Sequence, residues 1–93
     1  MAYECRFSNQ SGQSVVMRLV GMNESYKTGV IAPGSEDVTA ASNHILPTDR
    51  VVIAYDTSGN VLAHKETGVI SCKAGFILNQ SGSSYDFAMV CFP

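Results

Sequence analysis

Apolar and polar residues alternate with a period of two along most of this chain. Tyr3, Cys5 and Phe7 are interleaved with Glu4 and Arg6, while Val15, Met17 and Leu19 share one face of a segment whose other face holds Val16, Arg18 and Val20. Tyr85, Phe87, Met89 and Cys91 likewise oppose Asp86, Ala88 and Val90. A repeat of two sends successive side chains to opposite faces of an extended backbone, so each segment predicts a strand with at least one buried face. Residues 50–56 (RVVIAYD) are apolar on both faces and rich in β-branched types, as expected for a strand inside a sheet. Glycines fall at 12, 21, 29, 34, 59, 68, 75 and 82, the rhythm of short strands separated by tight turns.

The turns carry their own chemistry. Asp56-Thr57-Ser58-Gly59-Asn60 predicts a hairpin built on a type I turn, with Gly59 as the left-handed residue of a bulge. Ala32-Pro33-Gly34-Ser35 predicts a type II turn, Pro setting the first central φ and Gly taking the positive second. Asn9-Gln10-Ser11-Gly12 is expected to join the first two strands, with Gly12 available for positive φ. The same four residues recur at Asn79-Gln80-Ser81-Gly82. Either the two copies form a pseudo-twofold pair of hairpins with equivalent loops, or one good turn sequence is used twice, which is the simpler account. Residues 35–43 admit a short helix capped by Ser35 or a strand; the helix is disfavoured by its length and by Pro47.

About eight short strands, with no amphipathic helix to cover a sheet, predict one all-β domain over residues 1–93. The expected form is a small antiparallel β-sandwich, with a small closed β-barrel as the alternative. The antibody arrangement is excluded, since the chain has no Trp.

Composition narrows the function classes. Charged residues make up 15%, against roughly 25% for an average domain, and Ser, Thr, Asn and Gln number 24 against 14 charged residues. Disorder would need low hydrophobicity and a large charge imbalance. A net charge of -2 argues against a nucleic-acid surface, and no apolar run is long enough for a membrane span. The N-terminal residues lack a basic stretch followed by an apolar one, so a cytoplasmic location is slightly favoured over secretion.

Candidate chemistry is sparse. Cys5, Cys72 and Cys91 have no metal-binding or redox spacing. They are expected as buried free thiols, with a Cys5–Cys91 bridge as the alternative if the terminal strands are neighbours. Lys73 beside Cys72 makes that thiol a possible reactive group, since a cation favours the thiolate. His64 is placed on a strand face with Leu62 and Glu66, and His44 in a long loop; neither has the surroundings of a catalytic base. The sequence Asp56-x-Ser58-x-Asn60 lacks the acidic residue that would complete a calcium loop. Asn9, Asn23 and Asn79 begin glycosylation sequons, which turn chemistry explains more simply. No catalytic residue, metal site or cofactor is therefore expected.

The expected function is a non-catalytic binding module that presents Asn9, Gln10, Asn79, Gln80 and Tyr85 to a carbohydrate or a protein surface. Amides and hydroxyls on a rigid sheet suit adaptable hydrogen bonding. Tyr26 could either serve as a platform for a sugar or pack inward. The alternatives are a structural subunit forming a homo-oligomer through residues 85–92, an apolar strand with the character of a sheet edge, and, less favoured, a thiol-dependent enzyme acting through Cys72.

Overall fold

In the computed structural model, residues 3–21, 25–42, 50–68, 70 and 72–92 are described, the side chains of 3, 4 and 38–42 excepted. Eight strands are present among them: β1 Tyr3–Gln10, β2 Val15–Val20, β3 Ser25–Lys27, β4 Glu36–Ser42, β5 Val51–Asp56, β6 Val61–Glu66, β7 Lys73–Ser81 and β8 Ser84–Phe92. They form two four-stranded sheets in the orders β4-β1-β7-β8 and β3-β2-β5-β6. The fold is an all-β sandwich, not closed into a barrel. One pairing departs from a purely antiparallel arrangement. β1 and β7 run parallel, with all of β2–β6 as the crossover between them.

The two-residue period sorts the faces as expected. Cys5, Phe7, Ala74, Phe76, Leu78 and Phe87 of the first sheet meet Val15, Met17, Leu19, Val52, Ala54 and Ala63 of the second. Phe7 is central, its ring 5.5 Å from Phe76 and 6.0 Å from Tyr26, which stacks on it from the facing sheet. Tyr26 therefore packs inward. β2 and β5 occupy the middle of their sheet, so their second faces, with Val16, Val20, Val51 and Ile53, are half-buried by one another.

Residues 36–42 are strand, not helix. β4 runs antiparallel to β1, from Ser8 opposite Glu36 to Tyr3 opposite Ser42. There it satisfies backbone groups that β1 would otherwise leave unpaired, a gain no seven-residue helix could match.

Both turns with strong local chemistry form. Asp56 N–H bonds Asn60 O and Gly59 N–H bonds Asp56 O, with Gly59 at φ 92°, the geometry of a type I turn followed by a left-handed bulge residue. Ser35 N–H bonds Ala32 O with Gly34 at φ 78°, a type II turn. A second irregularity follows in β6, where Ala54 faces Ala63 but Tyr55 faces Val61. The extra residue, Leu62, turns toward the core. His64 consequently shares its outward face with Glu66 but not with Leu62.

The repeated Asn-Gln-Ser-Gly sequence takes two different forms, so the pair is not pseudo-twofold. Residues 79–82 lie in a true hairpin, β7 turning into β8 with Ser81 opposite Ser84. Residues 9–12 cross from one sheet to the other, and Gly12 does not adopt positive φ as expected. The difference rests on Asn9, which is fully buried. Its amide nitrogen donates to Gln13 O (2.8 Å) and Ile31 O (2.9 Å), and its Oδ1 accepts from Ser11 N–H (3.0 Å) and the Ser11 hydroxyl (2.6 Å). Its backbone N–H bonds Ser35 O and its carbonyl accepts from Gly34 N–H. One residue thus ties β1, the crossing loop and the 32–35 turn together.

Cys72 and Cys91 form a disulfide, while Cys5 is a buried thiol outside it. Two expectations are corrected here: the three thiols are not all free, and Cys91 does not meet Cys5. The reason is strand order. Ala74 of β7 lies between Cys5 and Cys91, opposite each of them. Two interstrand steps of about 4.8 Å exceed the Cα separation a disulfide spans. Cys72 and Cys91 instead join neighbouring strands at the end of the β7–β8 pair remote from its turn.

Unfolding and thiol measurements check this frame. Asn9→Ala removes four buried hydrogen bonds and leaves Ser11 N–H without its partner, and should cost about 3 kcal/mol in urea unfolding. Asn79→Ala, in the identical tetrapeptide but on an exposed site, should stay within about 0.5 kcal/mol of the parent. Intact mass should show the Cys72–Cys91 bond. Its reduction should destabilise the chain by up to about 3 kcal/mol, while Cys5 should resist alkylation until the protein unfolds.

Candidate functional site

Four turns meet at one end of the sandwich. Gln10 is in register with Asn79, and Val15 with Asp56, so the ends of β1, β5 and β7 and the start of β2 lie together. Gly34 N–H on Asn9 O brings in the 32–35 turn, and Gly12 N–H on Gln80 Oε1 (2.7 Å) joins the crossing loop to the β7–β8 turn. The exposed residues here are chiefly Ser, Thr, Asn, Gln and Gly. Glu36, Asp56 and Asp86 also lie at this end, whereas the described Lys and Arg residues lie at mid-strand or toward the other end.

The five residues expected to contact a ligand divide into three groups. Asn9 is enclosed and its amide is consumed internally, so it shapes the site without reaching a ligand, and as the acceptor of a sequon it is out of reach of a glycan. Gln80 and Tyr85 brace the loops. Gln80 accepts from Gly12 N–H and donates to Gly82 O (2.8 Å), and the half-buried Tyr85 hydroxyl accepts from Gln13 Nε2 (2.5 Å). Gln10 and Asn79 are exposed. They stand side by side across β1 and β7, with Asp86 next to Asn79 across β8. Three adjacent strands therefore present a row of two amides and a carboxylate on the outer face of the first sheet.

One strand position back, Ser8 donates to Glu36 Oε2 (2.9 Å). Further along the same face the Phe92 ring lies over Gly75, where a Cβ would come within 2.7 Å of the ring. Arg6 stands 4.6 Å above that ring and 3.9 Å from Glu36. The glycine gives the aromatic a seat, and the ring in turn holds the guanidinium away from the amide row.

Asp56 is held ionised by its turn. Its carboxylate accepts from Asn60 N–H and Ser58 N–H, both at 2.9 Å, and from Asn60 Nδ2 at 3.1 Å. These bonds, those from Asn60 foremost, keep its pKa below the ordinary Asp value. The carboxylate oxygens that open the Asp-x-Ser-x-Asn pattern are acceptors of the turn itself.

The thiol suggested as reactive, Cys72, is not free: it is bonded to Cys91. His64 is exposed on β6 opposite Ile53, and His44 lies outside the described residues, as does Asn23. No group of three or more His, Cys, Asp or Glu able to hold a metal occurs among the described residues.

A feature unremarked in the sequence is a cleft of about 290 Å³ on the outer face of the second sheet, lined by Val16, Arg18, Lys27, Tyr55 and the 56–59 turn. Its signal was present but indirect. The antiparallel pairing of β2 with β3 sets Arg18 opposite Lys27.

No protein-family model matches the chain, and neither a curated protein nor a solved structure matches it.

The pH response of the turn can be tested by comparing the parent with Asp56→Ala. Because the folded pKa lies below the unfolded value of about 3.9, the stabilisation from Asp56 is complete at neutral pH. It should shrink as pH falls below that value and vanish below the folded pKa. Urea midpoints of the two proteins should therefore differ at pH 7 and converge in acid.

Proposed function

We propose that the protein is a non-catalytic binding module and that its ligand is met by the amide row Gln10, Asn79 and Asp86. The observation that carries this is the convergence of four polar turns at one end, where Asn9, Gln80 and Tyr85 hold the loops from within. Amide groups offer both donors and acceptors, and a carboxylate beside them accepts strongly, a set suited to the hydroxyls of a carbohydrate. A protein surface is the other ligand class such a patch would take. With Tyr85 half-buried and engaged by Gln13, stacking adds little, so each site should be weak. Repetition of the site in a homo-oligomer would compensate.

β8 favours that second reading. It is the last strand of its sheet, nine residues long, with Val90 exposed and Asp86 its one charged residue. An open apolar edge of this length pairs readily with another chain. The Cys72–Cys91 bond supports an oxidising compartment rather than the cytosol expected from the N-terminal residues.

Two measurements test the proposal. On a glycan array, parent protein should bind a defined set of sugars and the Gln10→Ala/Asn79→Ala double variant should lose them without loss of stability. Retained binding would remove these residues from the site, and capture of protein but not sugar would favour the other ligand class. Light scattering should show an oligomer that Val90→Lys disperses; a monomer at high concentration would refute the edge contact.

A further inference from the structure

The cleft on the second sheet has a charge arrangement that the fold does not explain. Arg18 and Lys27 are direct cross-strand partners on β2 and β3, and both are exposed. Like charges set opposite one another destabilise a sheet. Among the described residues neither has an acidic partner within ion-pair reach, and the one hydrogen bond of Arg18 is a long contact to Ser25 Oγ at 3.5 Å. Asp56 lies at the rim, but three hydrogen bonds from its turn engage its carboxylate. Two cations against one engaged anion leave the cleft positive, in a protein of net charge -2.

Beside this cationic row lies an apolar one. Val16 pairs with Tyr55, two residues along β2 from Arg18 and on the same face. Rows separated by two residues are about 6.7 Å apart, close to the span of a six-membered ring with its attached acid group. The volume of about 290 Å³ lies near the lower end of the roughly 300–1,000 Å³ typical of small-molecule sites, enough for one ring.

We propose that this cleft binds a small carboxylate carrying one ring, with the acid group between Arg18 and Lys27 and the ring against Tyr55 and Val16. The guanidinium fork pairs with both carboxylate oxygens, and Lys27 supplies a second charge-assisted donor. The ligand relieves the repulsion that the empty pair maintains. The site is separate from the amide row, being on the opposite sheet, and does not depend on it.

The test is an amide-resolved NMR titration of the whole chain with benzoate, glucuronate and inorganic phosphate. At least one ring acid should shift Lys27, Tyr55 and Thr57 saturably. Arg18→Gln and Lys27→Gln should each weaken it about tenfold, Asn79→Ala should not, and phosphate should bind at least about tenfold more weakly. Benzoate and glucuronate distinguish an aromatic acid from a sugar acid. Lys27→Glu should raise the melting temperature of the unliganded protein, by giving Arg18 a counter-ion, and abolish binding. The proposal is overturned if neither ring acid titrates, if the charge variants bind normally, or if phosphate binds as tightly as the ring acids. A Lys27→Glu protein no more stable than the parent, or loss of these signals through dimerisation without ligand, would overturn it as well.

Discussion

The buried amide of Asn9 is the contact on which the remaining geometry depends. A chain leaving one sheet for the other must leave backbone donors and acceptors unpaired, because no neighbouring strand follows it across. Asn9 meets that need with both ends of its side chain, supplying donors to Gln13 O and Ile31 O and an acceptor to Ser11. Its own backbone fastens the 32–35 turn. With the crossing set, β1 and β2 lie in facing sheets with Phe7 and Met17 both turned inward, and the aromatic contacts of Phe7 follow.

The same constraint produces the polar end. Since the crossing loop is drawn in by Asn9, its outer residues are left to meet the β7–β8 turn, and Gly12 and Gln80 bond there. Gln10 and Asn79 are then neighbours on a solvent-facing row, beside loops braced by the buried Asn9 and by the Gly12–Gln80 bond. The proposed recognition surface is in this sense a by-product of how the chain changes sheets.

Alternation also leaves the sandwich with two unlike outer faces. The first sheet turns out amides, carboxylates and the Arg6–Phe92 stack; the second turns out valines, Ile53, Tyr55 and the Arg18–Lys27 pair. A low charge content makes each charged position informative, because few counter-ions exist to neutralise it. That is why one unbalanced cation pair beside a tyrosine points to a ligand, whereas in a highly charged protein it would pass as ordinary surface.

Much of the local order was legible in the amino-acid order alone. A period of two assigns the residues of β1, β2 and β8 to their faces, and the chemistry of Pro33-Gly34 and Asp56–Asn60 fixes two turns within five residues of chain. Both follow from interactions that are short in sequence. Which strand lies beside which was not legible, because pairing is decided by long-range packing that alternation does not encode. Hence the partner of Cys91 could not be read until β7 was seen to separate β8 from β1. For the same reason residues 36–42 became a strand only because β1 offered an open side. Two identical Asn-Gln-Ser-Gly segments met different fates, one with its Asn and Ser buried as a brace and the other exposed throughout, since burial belongs to the neighbourhood and not to the tetrapeptide.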